Sequence, residues 1–482
     1  MKRRIAALLT GFCMCFTLAS CGGSSSSVQT SAKAAATTVK AASSAVAATA
    51  AAATTAKAAA SETKASAGTS SAASKAASSG NSGKTTIQFW HSMSGGSAKI
   101  FDTMIEKFNA SQDKVEVVGT YQGDYFSSIA NAINAISSGN GPDLIQTGSD
   151  QVRLLSDEKG IVANLKSYMT KDSGVWYEDF TEGFIKPYVS DNGNMIAALP
   201  MGCSTPVMYT NTTLMKKAGI NSVPTTWDEL EADCQKLAEG KYCDYGFSQP
   251  RAVWYFWTII PNYSGQDIFS ADGQKVACRD GGIAAYTFLQ NMVKKNYYYP
   301  TPAADGNTIV QQMMQTGKLC FYVTSIGSLG TMEKVAKEGQ WDLAVTNIPG
   351  KAASSVPSGG NSLVMLESSK HKDAVWQFIK WLYTSEDGVP AFDAGTGYLA
   401  CTNTLKNSKT VQDKIKADKN YAAAYEYTKN INNNHIITGE SDMSTDVVTF
   451  MDAVFFDQKD VTAEWDKLEK IMNDKLKEHN TK

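Results

Sequence analysis

Between Thr85 and Thr147 the chain twice alternates a β-forming run with an amphipathic helical one, then reaches a third β run. Ile87 and Phe89 mark a strand, and Ser92, Ser94, Gly95, Gly96 and Ser97 make a turn. Phe101, Met104, Ile105 and Phe108 follow at helical spacing, with Asp102, Glu106 and Lys107 on the other face. Val115–Tyr121 reads as a second strand, 124–138 as a second helix, and Asp143–Thr147 as a short buried strand. Such an alternation predicts an α/β fold with a largely parallel sheet flanked by helices. Ligands in such sheets sit beyond the carboxyl ends of the strands, which puts Trp90 and His91 on one lip of a cleft.

Nothing before Thr85 has the composition to pack. Lys2, Arg3 and Arg4 precede an apolar run from Ile5 to Leu18, too short to span a bilayer. It ends L-A-S-C at Cys21, which resembles a bacterial lipobox, so residues 1–20 read as a signal peptide and Cys21 as the lipidated residue. An ordinary cleaved signal containing a cysteine is the plainer alternative. From Gly22 to Lys84 the chain is almost wholly Ala, Ser, Thr, Gly and scattered Lys, without an aromatic residue. It cannot bury enough surface to offset chain entropy. Residues 21–84 therefore read as a lipid-attached flexible linker, reaching roughly 40–50 Å if coil-like. A stalk of that reach suits a module clearing the thick wall of a Gram-positive bacterium.

Thr85–Lys482 is long enough for two lobes. Residues 1–84 hold nine Lys/Arg and one acidic residue, which leaves 36 basic and 46 acidic and a net charge of −10. An acidic globule argues against nucleic acid and against adhesion to an anionic membrane surface. Only Arg153, Arg251 and Arg279 remain as arginines, so bidentate phosphate clamps are scarce. Six cysteines follow Cys21 (Cys203, Cys234, Cys243, Cys278, Cys320, Cys401), and their spacing dictates no pairing and no zinc site. No nucleophile elbow, zincin helix, P-loop or dinucleotide fingerprint occurs, so no cofactor, metal or catalytic residue is expected. Paired carboxylates abound in an acidic chain, which keeps a secreted carbohydrate-active hydrolase as a remote alternative. An adhesive lipoprotein is a third reading.

Further strands are expected at 195–200, 206–211, 319–325, 342–348 and 362–367, and helices at 226–240, 281–296, 371–383 and 460–479. Trp227 reads as a packing residue at a helix start, and His371, His435 and His479 as solvent-facing.

Several segments together carry a resemblance: Thr85–Asn109, Y-Q-G-D-Y at 121–125, G-N-G-P-D at 139–143 and L-P-M-G-C-S-T-P-V-M-Y-T-N at 199–211. G-K-L-C-F-Y-V-T-S-I-G-S at 317–328, S-G-G-N-S-L at 358–363 and T-G-Y-L at 396–399 continue it. They resemble the extracellular solute-binding proteins of ABC importers, in the branch of the maltose and glycerol-3-phosphate binders. The resemblance implies a two-lobe periplasmic-binding-protein fold of type II, each lobe a mixed, mostly parallel sheet, hinged about a cleft. It implies a first lobe of 85–203 and 326–371 and a second of 204–325 and 372–482. The chain would cross near 199–206, again near Ser325, and once more after the strand at 362–367. It further implies a monomer that hands a small solute to permease subunits, without enzymatic activity.

Carried over residue by residue, the resemblance implies ligand contacts at Tyr125, Ser204, Ser325, Gly360 and Tyr398. Two departures stand out. The family's ligand-binding Glu falls at Ser149, with Asp150 beside it as a substitute, and its phosphate-clamping Arg falls in M-S-T-D-V-V at 443–448, where no Arg occurs. Loss of that clamp favours a carbohydrate over sn-glycerol-3-phosphate or a glycerophosphodiester, which is the runner-up. Trp254 and Trp257, near Arg251, Tyr255 and Tyr263, are either a sugar-stacking platform or the apolar face of a helix; Arg251 is the one candidate to replace the lost clamp.

Overall fold

The computed structural model describes residues 83–480 apart from 157–159, 191, 303–305, 351–354 and 438–439. The expected signal segment, the lipidation at Cys21 and the linker up to residue 82 lie outside the described residues.

Among the described residues, ten strands form two five-stranded sheets. They are β1 (Thr85–His91), β2 (Val115–Tyr121), β3 (Leu144–Gly148), β4 (Leu199–Ser204), β5 (Pro206–Asn211), β6 (Tyr245–Gln249), β7 (Tyr298–Pro300), β8 (Leu319–Ser325), β9 (Leu343–Thr346) and β10 (Gly359–Met365). The first sheet runs β2-β1-β3-β10-β4 and the second β7-β6-β8-β5-β9. In each, the fourth strand is antiparallel to its neighbours while the first three are parallel. Direction of entry explains the reversal. β4 ends at the cleft and only Thr205 separates it from β5, so β5 starts at the cleft and runs away from it. β10 likewise enters the first sheet from the side of the second. The helix Trp227–Glu239 begins at a capping box, in which the Thr226 hydroxyl accepts from the Glu229 N–H and the Glu229 carboxylate accepts from the Thr226 N–H.

Two expectations need correction. Leu343–Thr346, expected with the first lobe, pairs with Met208–Asn211 of β5, so the chain stays with the second sheet past Ser325 and returns only between 347 and 358. The segment 372–482, expected with the second lobe, divides. Helix Lys372–Thr384 puts Phe378 against Phe89 and Phe108 under the first sheet, at centroid distances of 5.6 and 4.8 Å. Helices Ser444–Phe455 and Val461–Asn480 close the second core, where Trp465 stacks on Phe256 at 5.7 Å. Periodicity, of strand or helix, marks an element and its buried face and leaves its partner unspecified, hence both misassignments.

Among the described residues no helix is long and apolar enough to cross a membrane.

Candidate ligand cleft

The cleft is built where strands of both sheets end. Gly360 in β10 has φ +114°, and a Cβ there would lie 2.0 Å from the Gly202 carbonyl oxygen, so only glycine lets β10 approach β4 this closely. The Tyr398 ring lies against two further glycines: a Cβ on Gly202 would reach its Cγ at 2.9 Å, and one on Gly327 its Cε1 at 2.7 Å. Phe392 backs the ring at 5.6 Å and an interplanar angle of 14°. Gly202 and Gly327 come from the two sheet systems, so Tyr398 is wedged where the sheets meet.

Tyr125, at the start of helix Tyr125–Ser137, brings its hydroxyl to that of Tyr398. Gln146 of β3 meets Tyr125, and Asn361 of β10 meets Tyr398. Burial is the chief reason both phenols are held above their ordinary range, and each also feels the other. Gly148 makes room for the Tyr125 ring, since a Cβ there would fall 2.7 Å from Cδ2.

From the second sheet, Trp254 in the first turn of helix Val253–Ser264 donates its indole N–H to the Ser358 carbonyl at 3.1 Å. Its ring covers Gly359, which faces Ser204 across the β4–β10 ladder. Tyr255 follows, with its hydroxyl 3.0 Å from that of Thr324. The Ser325 hydroxyl accepts from the Gly327 N–H at 3.1 Å, and its carbonyl accepts from the Tyr209 hydroxyl at 2.9 Å. Ser149 and Asp150 form a 3-10 turn after β3. Burial pushes the Asp150 carboxyl up to about 6; the Ser149 hydroxyl, 3.3 Å from Oδ1, acts the other way.

The structure thus brings together Tyr125, Ser204, Ser325, Gly360, Tyr398 and Trp254, with the Ser149–Asp150 turn at the end of β3. It does not bring in His91 or Trp257. His91 shares the core-facing side of β1 with Phe89, as strand alternation requires, and lies 4.8 Å from the Phe101 ring and 6.1 Å from Tyr121. Burial lowers its pKa, against an opposing pull from Asp102. Trp90, on the opposite face of β1, is half-buried against the first core. Trp257 is one turn deeper than Trp254 in a helix buried nearly all round, and it packs on Phe256, Phe269 and His435. His435 is consequently buried rather than solvent-facing. Arg251 does not reach the cleft as a clamp: it pairs with Asp452, donates from Nε to the Thr301 carbonyl at 3.3 Å and lies over the Phe456 ring at 5.4 Å.

Sequence reasoning missed Gln146 and Asn361, whereas Tyr255 belonged to the aromatic cluster it singled out. A signal existed for both: each is an amide inside an otherwise apolar or small-residue strand, D-L-I-Q-T and G-G-N-S-L. A buried amide needs a partner, and at a strand end facing a cleft that partner can be a ligand.

Residues 94–389 match the family model described as bacterial extracellular solute-binding protein. Among relatives, the sn-glycerol-3-phosphate-binding periplasmic protein UgpB of Yersinia pseudotuberculosis is 30% identical over 349 residues, covering 66% of this chain and 74% of its own. The corresponding protein of Escherichia coli K12 is 27% identical over 347 residues, with the same coverage. Among solved structures, the GacH receptor of Streptomyces glaucescens, determined unliganded and with acarbose, matches with a TM-score of 0.72 at 18% identity. That match covers 82% of this chain and 99% of the receptor. UgpB of Mycobacterium tuberculosis in complex with glycerophosphocholine matches with a TM-score of 0.71 at 18% identity over the same shares. The two-sheet architecture is that of the maltose- and UgpB-type binding proteins. The chain belongs to the bacterial extracellular solute-binding proteins, the solute-capturing components of ABC importers.

Proposed function

We propose that the protein captures a neutral carbohydrate, a mono- or oligosaccharide, by closing its two lobes and delivers it to permease subunits as a monomer. It binds without transforming the sugar. One observation carries the choice of ligand: the described cleft groups supplied by both sheets are phenols, an indole, hydroxyls, amides and the Asp150 carboxyl, without a cation among them. Arg251, the candidate cation, is engaged by Asp452. Tyrosine and tryptophan rings offer apolar faces to sugar C–H groups while their polar ends hydrogen-bond hydroxyls. A phosphomonoester would enter this cleft without a charge-assisted partner among the groups described there. Ligand contacts are assigned to Tyr125, Ser204, Ser325, Gly360, Tyr398 and Trp254, with the Ser149–Asp150 turn and Trp90 at the rim. Lipid attachment at Cys21, after removal of residues 1–20, would hold the protein on the outer face of a Gram-positive cell membrane.

A glycerol phosphate or glycerophosphodiester is the second reading, favoured by the sequence relatives, which are named as sn-glycerol-3-phosphate binders. A thermal-shift comparison on the mature chain decides between them. An oligosaccharide such as maltotriose should raise Tm by several degrees, whereas sn-glycerol-3-phosphate and glycerophosphocholine should not. Stabilisation by the phosphates alone overturns the carbohydrate reading. Appearance of shortened sugars during the incubation would overturn the non-enzymatic one.

A further inference from the structure

Asp393 lies directly behind the cleft, one residue after the Phe392 that backs Tyr398. It is 0% exposed, and neither carboxyl oxygen has a hydrogen-bond partner among the described residues. The titratable groups that face it are Cys203 of β4, Tyr398, and Tyr421 and Tyr425 of helix Lys419–Tyr427. Every one is a neutral acid, and none is a base or a cation. On the other elements packed against helix Val389–Thr396, Lys406 lies over the Tyr425 ring at 4.7 Å and Lys414 over Tyr421 at 5.8 Å. Glu333 faces Lys414, and Lys99 and Asp102 belong to helix Gly95–Ser111; none of these forms an ion pair with Asp393. An isolated carboxylate in such surroundings takes up a proton instead of remaining charged, and burial accordingly holds this carboxyl far above its usual range.

The hydrogen bonds around it give that neutrality a consequence. The Tyr421 hydroxyl donates to the Tyr398 carbonyl at 2.8 Å and lies 3.4 Å from the Tyr425 hydroxyl, which accepts from the Ala400 N–H at 3.0 Å. These two phenols therefore hold the backbone on either side of Leu399, and with it the placement of the Tyr398 ring. Both also face Asp393. We propose that Asp393 is a positioning residue stored as a neutral acid: ionised, it would draw the Tyr421 and Tyr425 hydroxyls onto itself and loosen the backbone at Tyr398 and Ala400, leaving Leu399 tied to Cys203 of β4 by two backbone hydrogen bonds of 2.7 and 3.1 Å. A hydrogen bond from a phenol to a carboxylate is about twice as strong as one to a neutral carbonyl, so the exchange is favourable once the proton leaves. The importance of this loosening for solute capture rests on Tyr398 being a ligand contact; the test below does not.

Amide hydrogen exchange of the 397–401 segment in the mature chain, with D393N beside wild type from pH 7 to 10, tests the proposal. Asn preserves shape and cannot ionise, and the ratio of the two proteins cancels the intrinsic pH dependence of exchange. The ratio should be near one at pH 7 and rise with pH as the carboxyl ionises, wild type being the faster. A ratio that stays constant overturns the proposal. If D393N shows no cooperative urea transition, infrared spectroscopy of wild type at pH 8.5 decides. At that pH Glu333, at about 7, and Asp150 and Asp233, at about 6, are ionised. A remaining carboxylic-acid C=O band supports a neutral Asp393, and its absence overturns it.

Discussion

Trp254 donates its indole N–H to the carbonyl of Ser358 across 3.1 Å, tying a helix of the second sheet system to the segment that leads into the reversed strand of the first. The same ring covers Gly359, so one side chain serves the cleft wall and the return crossing together. Trp254→Phe keeps most of the ring and removes the donor. It should cost about 1 kcal/mol in urea unfolding, the usual net value of one hydrogen bond. Trp254→Ala removes the wall as well, and its affinity for the bound sugar, measured by titration calorimetry, should fall at least tenfold (about 1.4 kcal/mol). Unchanged affinity in the alanine variant would remove Trp254 from the site.

Gly360→Ala probes the closeness of β10 and β4. The positive φ alone costs on the order of 1–3 kcal/mol, and the added methyl would meet the Gly202 carbonyl, so the strands must separate. A urea midpoint lowered by that amount or more, accompanied by loss of sugar binding, is the expected result. Gly359→Ala, where the new contact is with the Trp254 ring, should be milder in stability.

His435 makes the protein acid-sensitive. It is buried and stacks on Trp257 at 5.8 Å and 25°, and burial lowers its pKa to about 3. The unfolded chain takes up this proton below its ordinary value of about 6.5. The unfolded state thus binds more protons in the window between 6.5 and 3, and stability is lost as pH falls through it. The slope from this residue alone is about 1.4 kcal/mol per pH unit. His435→Phe should flatten the pH dependence of the urea midpoint between pH 6.5 and 4. Parallel wild-type and variant curves would refute the assignment.

Arg251 supplies a contrast, because its guanidinium is spent on Asp452, Thr301 and Phe456. Arg251→Gln should destabilise the chain by roughly 1–3 kcal/mol, since a mostly buried ionic partner is removed while Asp452 keeps some solvent. Sugar affinity should stay within about twofold, a difference of roughly 0.4 kcal/mol. A large loss of affinity would place Arg251 in the site after all.

Much of the architecture was legible in the chain because β-branched runs and 3.6-residue spacing mark their own elements. β1, β2, β5 and β8 lie where the sequence puts them, and the Thr226–Glu229 cap marks its helix to within a residue. Partners were harder. Nothing in the periodicity of Leu343–Thr346 or Lys372–Thr384 says which sheet each one covers. The same limit applies to the cleft. Tyr398 and Tyr125 came from resemblance, whereas the burial of Trp257 and His435 together depends on a helix and a loop 178 residues apart in the chain. Composition favoured a solvent-facing histidine there, and tertiary packing overrode it.

The two reversed strands also constrain how the protein is made. β4 has no neighbour in the first sheet until β10 lies between it and β3, and the β3–β10 ladder joins Thr147 to Ser362. As the polypeptide emerges amino end first, β1 to β3 can assemble early, but β4 must wait while the second sheet is synthesised. Closing so long a loop is slow, and the waiting edges of β3 and β4 are sticky. The first lobe would therefore mature only after much of the second, so a chain truncated before Gly359 would keep both edges unpaired and become a substrate for proteases outside the cell.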